Sequence, residues 1–473
     1  MNPNNKKVLD IVVVGSGMAG LNFIDKYLQN GKKINVISPS TNLNFKVKDK
    51  KKIHLLPSQM RGEYKNISNY FRANTLSLKT NCKAIGSLNF GGLSNYWGLQ
   101  MDNKIFNDQT SLKKKTFNEI KKNFFFFLKR FKIAGHFKLN KNKIYSNNFY
   151  IPEQLNKLKK IKSNLFFCTQ PILGFSTSEK FRGNLNNIDE KKQKLTAKNI
   201  YKKIKKKKRI TFHNFYLEKI EKKRGYIELY CKNNSKIKKY KAKKLVLACG
   251  TIATTKILMN YLNIKKEIKI KHHPRLLSVF LSRKKLNYNM NFTPSLLQII
   301  FNSSKDHFTA DLRPGNKLIT KSIIDAFPIM KPFEFLINFF RKRLIFSNFL
   351  LDPKFSNIYI KKKKNNFELF SKEKKLAKVL KEKNKKIYNL LASSGIVYPF
   401  YRTFFPGYGA DYHYFGSVPF QNKGKLAVNN NCQLLSSKNI YIIDGSVFNF
   451  RSNRYPLGII AANARRVAKY LSK

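Results

Sequence analysis

The stretch VLDIVVVGSGMAG, residues 8–20, constrains this chain most. Its apolar run from Ile11 to Val14 is long enough for one buried parallel strand. The run ends on Gly15, Gly17 and Gly20, which have GxGxxG spacing. In such a strand-to-helix turn Gly15 permits the tight bend. Gly17 lets backbone approach a pyrophosphate, and Gly20 lets the following helix lie close on the strand. The helix then aims its positive dipole end and the N–H groups around Met18 and Ala19 at the phosphates. Residues 21–30 read as that helix, Gly31 as its stop and residues 34–37 as a second strand. An acid at the end of the second strand would hold a ribose, but Ser38 stands there, a hydrogen-bonding group without charge.

Later segments suggest that the chain leaves this unit and returns to it. Residues 39–80 form a polar, basic linker, followed by GSLNFGGLSNYWG at 86–98. Glycines this dense beside Ser94, Asn95 and the only tryptophan, Trp97, describe a loop in which Gly91 and Gly92 bring backbone close to something flat or phosphorylated. Residues 107–200 read as helical and basic, the start of a second domain. Between 210 and 247 short alternating runs suggest an antiparallel excursion that returns to a buried parallel strand ending at Ala248 and Gly250. A helix over 251–260 repeats the strand-glycine-helix order of the N-terminus. His272, His273 and Pro274 open a second insertion reaching about residue 405. Its aromatic, basic stretch 333–351 reads as a core helix of that domain, with an amphipathic helix on a membrane surface as the alternative.

The tail is nearly as informative. DYHYFGS at 411–417 sets His413 before a Gly-Ser turn, and a strand over 439–443 ends in Asp444 and Gly445. Such an Asp-Gly suits hydrogen bonding of a ribityl hydroxyl. A loop with Asn449, Arg451, Ser452 and Asn453 leads to Tyr455, and Pro456 opens a helix over 457–471. The start of that helix, at Pro456 and Leu457, offers a positive dipole end to a group that becomes anionic on reduction, as a flavin does.

Four segments, in this order, resemble the glucose-methanol-choline (GMC) oxidoreductase family, and within it the branch of pyranose oxidases: GSGMAG (15–20), GGLSNYW (91–97), LVLACGTIATTKIL (245–258), and HYFGS with IIDGSVF (413–417, 442–448). The resemblance implies an α/β fold: a Rossmann-like FAD-binding domain with a parallel sheet and helices, plus an inserted α+β substrate domain with an antiparallel sheet. Residues 1–106, 205–270 and 406–473 would make the first, and 107–204 and 271–405 the second. It implies FAD and oxidation of a CH–OH group of an alcohol or sugar, with the histidine matching His413 as general base; the alternatives are a FAD-binding protein without alcohol oxidation and a peripheral membrane flavoenzyme acting on a lipid-linked or anionic saccharide. The family's second active-site residue falls at Tyr455, a poor base, so that Tyr455 as an orienting donor and Asn453 as a substitute both stay open. Tyr96 stands where covalently flavinylated relatives have histidine, which implies non-covalent FAD.

Composition adds bounds. The 473 residues, 42% hydrophobic, suffice for two domain-sized units with true cores. Lys and Arg number 95 against 25 Asp and Glu, a net charge of +70. Such a field would attract nucleic acid, anionic lipid or an acidic substrate. Lys, Asn, Ile and Phe are abundant together, however, as in A+T-rich coding, and this accounts for most of the charge. No zinc-ligand spacing or aromatic-interleaved motif points to specific nucleic-acid binding. Five scattered cysteines without CxxC spacing argue against a disulfide scaffold or a metal site. With no signal peptide or spanning apolar run, a cytoplasmic enzyme is the default expectation. The electron acceptor and the oligomeric state stay open.

Overall fold

The structure is a computed structural model that describes residues 7–39, 70–102, 112–177, 181–205, 209–233, 236–286, 288, 294–303, 307–317, 320, 324, 328–364, 366–372, 375–421, 423–450 and 455–473. Asn453, Arg451 and Ser452 and most of the 39–80 linker lie outside the described residues.

The first strand, Val8–Val14, is the centre of the first domain. Ile11, Val12, Val13 and Val14 are all buried, as a strand covered on both faces requires. Parallel neighbours flank it: Ile34–Ile37 on one side and the end of the long strand Lys236–Leu247 on the other. The long strand serves two partners along one edge. Its first half pairs antiparallel with Tyr226–Asn233, itself in a hairpin with Tyr216–Lys223, and its last three residues pair parallel with Ile440–Ile442. Residues 245–247 and 440–442 therefore bring two distant parts of the chain beside the N-terminal strand, as the repeated strand-glycine-helix order implied. Ile210–His213 corrects one expectation. It is not part of the antiparallel excursion but pairs parallel with Ile34–Ile37 at the sheet edge.

Helix Met18–Gln29 packs on the C-terminal helix Leu457–Leu471, which also carries helix Lys114–Phe131. One buried carboxylate ties the three together: Asp25 accepts from Arg465 at 2.8 Å and from Arg130 at 3.1 Å. Burial alone would raise its pKa, but the two guanidiniums outweigh burial and hold it low.

Residues 107–204 are therefore split between two cores rather than belonging to the second domain alone. Ile120, Phe124, Phe127, Leu128 and Phe131 enter the first core, whereas Leu155, Leu158, Leu173 and Phe175 enter the second. Nor is this segment helical throughout. Ile133–Asn140, Lys143–Asn147, Phe166–Thr169 and Ile172–Ser176 are strands.

The second domain is built on an antiparallel sheet that runs, among the described residues, in the order Val397–Phe404, Arg275–Ser282, Leu344–Leu351, His307–Pro314, Leu297–Asn302, Phe166–Thr169. Helix Leu376–Ser393 packs on one face, where Ser278 donates to Asn384 at 3.0 Å. The stretch 333–351 is not a core helix. Glu334–Phe340 is a short helix with no buried side chain, and Leu344–Leu351 is a central strand. Period-two alternation decides the latter: Ile345, Ser347 and Phe349 are buried, while Leu344, Phe346 and Asn348 face a cavity.

Candidate active site

A cavity of about 1210 Å³ lies between the two domains, larger than the roughly 300–1,000 Å³ of ordinary small-molecule sites. At one end it is lined by Gly15, Ser16, Gly17, Met18 and Ala19 with Ser38, and at the other by His413, Tyr455, Pro456 and Leu457. Residues 398 positions apart in the sequence, 15 and 413, thus share one space.

The glycine end is shaped by close backbone packing. Gly15 has φ +108°, and a Cβ there would stand 2.3 Å from the Ala248 carbonyl oxygen. A Cβ on Gly20 would stand 2.0 Å from the Gly15 oxygen, so Gly20 sets the helix against the turn and does not itself line the cavity. Gly17 is the N-cap of Met18–Gln29, with no capping side chain and no acid in the first turn. The N–H groups of that turn are therefore left for an anionic ligand. The Ser38 hydroxyl lies 2.6 Å from that of Ser16, which also accepts from the Gly91 N–H at 2.9 Å. These bonds pin the second-strand terminus and the 86–98 loop to the glycine turn.

In that loop Gly91 and Gly92 both have positive φ and lead into the turn Gly92–Asn95. Gly91, Gly92, Ser94, Tyr96 and Trp97 line the cavity; Asn95 does not, but donates to the Phe90 carbonyl at 2.6 Å. Trp97 donates to the Leu195 carbonyl at 2.9 Å and covers Gly174, so it fastens the loop to the 174–195 segment as well as lining the space.

Ala248, Gly250, Asp444 and Gly445 also border the cavity. Asp444, expected to meet a ribityl hydroxyl, borders the cavity with its carboxylate engaged within the protein. Its Oδ2 accepts from the Gly250 N–H at 3.0 Å and the Thr254 hydroxyl at 2.5 Å, and its Oδ1 from the N–H and hydroxyl of Ser446 at 3.0 and 2.6 Å. A carboxylate has about four acceptor positions, and the protein fills them. Asp444 bolts the 251–261 helix to the closing strand.

At the other end His413 sits in a cluster the sequence only partly disclosed. Its N–H donates to Asp411 Oδ1 at 3.1 Å across Tyr412, which is held at φ +68°. The same oxygen accepts from the His273 N–H at 3.3 Å, and Oδ2 lies 2.5 Å from Nδ1 of His272. Nδ1 of His413 is 3.2 Å from Nδ1 of His273. Burial pushes the His413 imidazole down to about 4; Asp411 opposes this, while Arg275, Arg313 and His272 push the same way. His413 is therefore neutral at physiological pH.

Tyr455 packs edge-on against His413, ring centroids 5.1 Å apart. Its hydroxyl donates to Asp311 at 2.7 Å and accepts from Asn348 at 2.6 Å, and Asp311 is paired with Arg313. The one proton of Tyr455 is thus committed to a buried carboxylate, which makes Tyr455 a wall beside His413 rather than an orienting donor. The helix starting at Leu457 has no acid in its first turn and opens on the cavity through Pro456.

Asp411 and the His272-His273 pair were visible in the sequence as neighbours of quoted motifs. Asp311, Arg313 and Asn348 gave no signal, since each occupies an ordinary strand position that only the second sheet brings to Tyr455.

No family model matches the chain, and no curated protein matches it. Among solved structures it is similar to the crystal structure of pyridoxine 4-oxidase from Mesorbium loti, with 12% identity and a TM-score of 0.59 over 98% of this chain and 99% of that one. This likeness shows the fold: a mixed α/β architecture with a Rossmann-like domain and a second, antiparallel one, as the sequence led us to expect.

Proposed function

We propose that this protein is a FAD-dependent oxidoreductase that oxidises the CH–OH group of an alcohol or sugar-type donor. The observation that carries the reading is the placing of His413 in the same cavity as an uncapped glycine turn of dinucleotide-binding type, and burial lowers the pKa of that imidazole. The fold shared with an enzyme named an oxidase supports it, as do the four GMC-like segments.

The cavity's donors fit the cofactor. Gly15, Gly17, Met18 and Ala19 would meet the pyrophosphate, Ser38 the ribose, and the start of the 457–471 helix the electron-rich end of the ring. FAD, when bound, accepts the hydride released as the C–H bond breaks and the carbonyl forms. Non-covalent attachment is our reading because Tyr96, whose hydroxyl accepts from Asn89, stands where flavinylated relatives carry histidine.

The protein's part is to take the hydroxyl proton. His413 Nε2 has no protein partner among the described residues, whereas Nδ1 faces His273. If His413 donates its Nδ1 proton to His273, Nε2 keeps its lone pair for the substrate. Asp411 holds both backbones and His272 in place, and Tyr455 limits rotation of the base.

Titration with FAD tests the reading. The purified protein is expected to carry or acquire a flavin spectrum, release FAD on denaturation and bleach anaerobically with an alcohol. His413→Ala should slow flavin reduction by about 10²–10⁴. A protein that rejects FAD would remove the proposal, and an unchanged rate in the variant would move the base elsewhere.

A further inference from the structure

Residues 328–340 leave six large apolar side chains in the open: Ile329, Phe333, Phe335, Leu336, Phe339 and Phe340. Ile329, Phe335 and Phe339 are 81%, 67% and 78% exposed, values at which water contacts nearly the whole side chain. A soluble surface spreads such residues singly, whereas a concentrated patch marks a partner or a membrane. The immediate surroundings say which. Arg341, Lys342 and Arg343 follow directly, and Lys331 lies within the segment. The Arg283–Lys285 turn is bonded alongside, with Leu286 donating to the Lys342 carbonyl at 2.6 Å and Arg343 donating to the Arg283 carbonyl. Against these seven cations the segment carries one acid, Glu334. Apolar rings framed by lysine and arginine match a bilayer with anionic headgroups, since the rings enter the acyl boundary while the cations stay among phosphates.

The cavity opens at the patch, since the exposed Ile329, Leu336 and Phe340 are among its lining residues. Met330, Ile337, Leu277, Val279, Leu281 and Phe346 add apolar lining, beside the polar Arg275, Arg402 and Thr403. No helix of the described residues is long and apolar enough to cross a membrane.

We propose that the 328–340 segment docks this protein on an anionic lipid surface, with the cavity mouth facing the bilayer so that an alcohol dissolved in the membrane enters it. Docking stands on the exposed patch and its cations; the substrate class rests on the function proposed above. The apolar side chains of this lining suit the hydrocarbon part of a lipophilic alcohol, which gives up no hydrogen bonds on leaving the membrane for them.

Co-sedimentation of the full chain with vesicles of equal parts phosphatidylglycerol and phosphatidylcholine tests the docking. The net charge alone draws the protein to such vesicles, so the informative comparison is with Phe335→Ser/Phe339→Ser, two exposed positions that do not line the cavity. Its vesicle affinity is expected to fall at least about tenfold at a salt concentration that screens the general attraction. Equal binding by the two proteins overturns the proposal. So does a double variant whose only change is loss of self-association in light scattering, because the patch then covers a second copy of the chain. Sedimentation does not depend on turnover. Intact docking in a protein whose flavin no alcohol bleaches removes the substrate clause and the proposed function, and lost docking leaves that function standing.

Discussion

His413 gives the account its sharpest residue-scale expectations. With its imidazole held at about 4, the base form predominates from neutral pH down to near that value. The rate of flavin reduction should therefore be flat between about pH 5 and 8 and fall as pH drops through about 4, when protonation removes the lone pair. An inflection near the ordinary histidine value of about 6.5 in stopped-flow traces would show that burial does not act on it as inferred. Tyr455→Phe separates wall from donor. It removes the proton given to Asp311 and so should lower stability by about 1–3 kcal/mol in chemical denaturation. Because the ring beside His413 remains, reduction should stay within about tenfold of the wild type. A loss of 10² or more would restore Tyr455 to the role of substrate donor. His413 was legible from its HYFGS frame, but the state of its imidazole was not. That state depends first on burial and then on Arg275, Arg313 and His272, brought to it from distant positions by the fold.

Among the elements, the three-helix layer rests on one carboxylate. Asp25→Ala leaves Arg465, which is 4% exposed, buried without its partner and should cost about 3–5 kcal/mol of unfolding free energy. Denaturant melts that differ by less than 1 kcal/mol would mean that the layer is held by apolar packing alone. Gly20→Ala is expected to push helix Met18–Gln29 away from the turn, since its Cβ falls 2.0 Å from a backbone oxygen. Overpacking of this kind costs about 1–3 kcal/mol, and here it should also weaken FAD binding measured by fluorescence titration. The strand and helix of the N-terminal unit and the closing helix from Leu457 could be read in advance, because each is bounded by local signals: glycine, proline and an unbroken apolar run. The stretch 333–351 could not. Its aromatic density suits a core helix as well as a strand, and the decision came from pairing with 275–282 and 307–314, a long-range choice.

On the scale of the whole molecule, the chain passes repeatedly between two domains and leaves a large cavity where they meet. Local motifs exposed the first domain, which is assembled from them, and the antiparallel domain was anticipated only as a class. Its individual strands carry no punctuation beyond ordinary alternation. The measurement that bears most directly on the central claim is a crystal structure of the protein grown with FAD. The account predicts the pyrophosphate at the Gly15–Ala19 turn and the isoalloxazine ring beside His413, with Nε2 of that histidine facing the ring. FAD bound with its ring away from His413, or no FAD at the glycine turn, would contradict it.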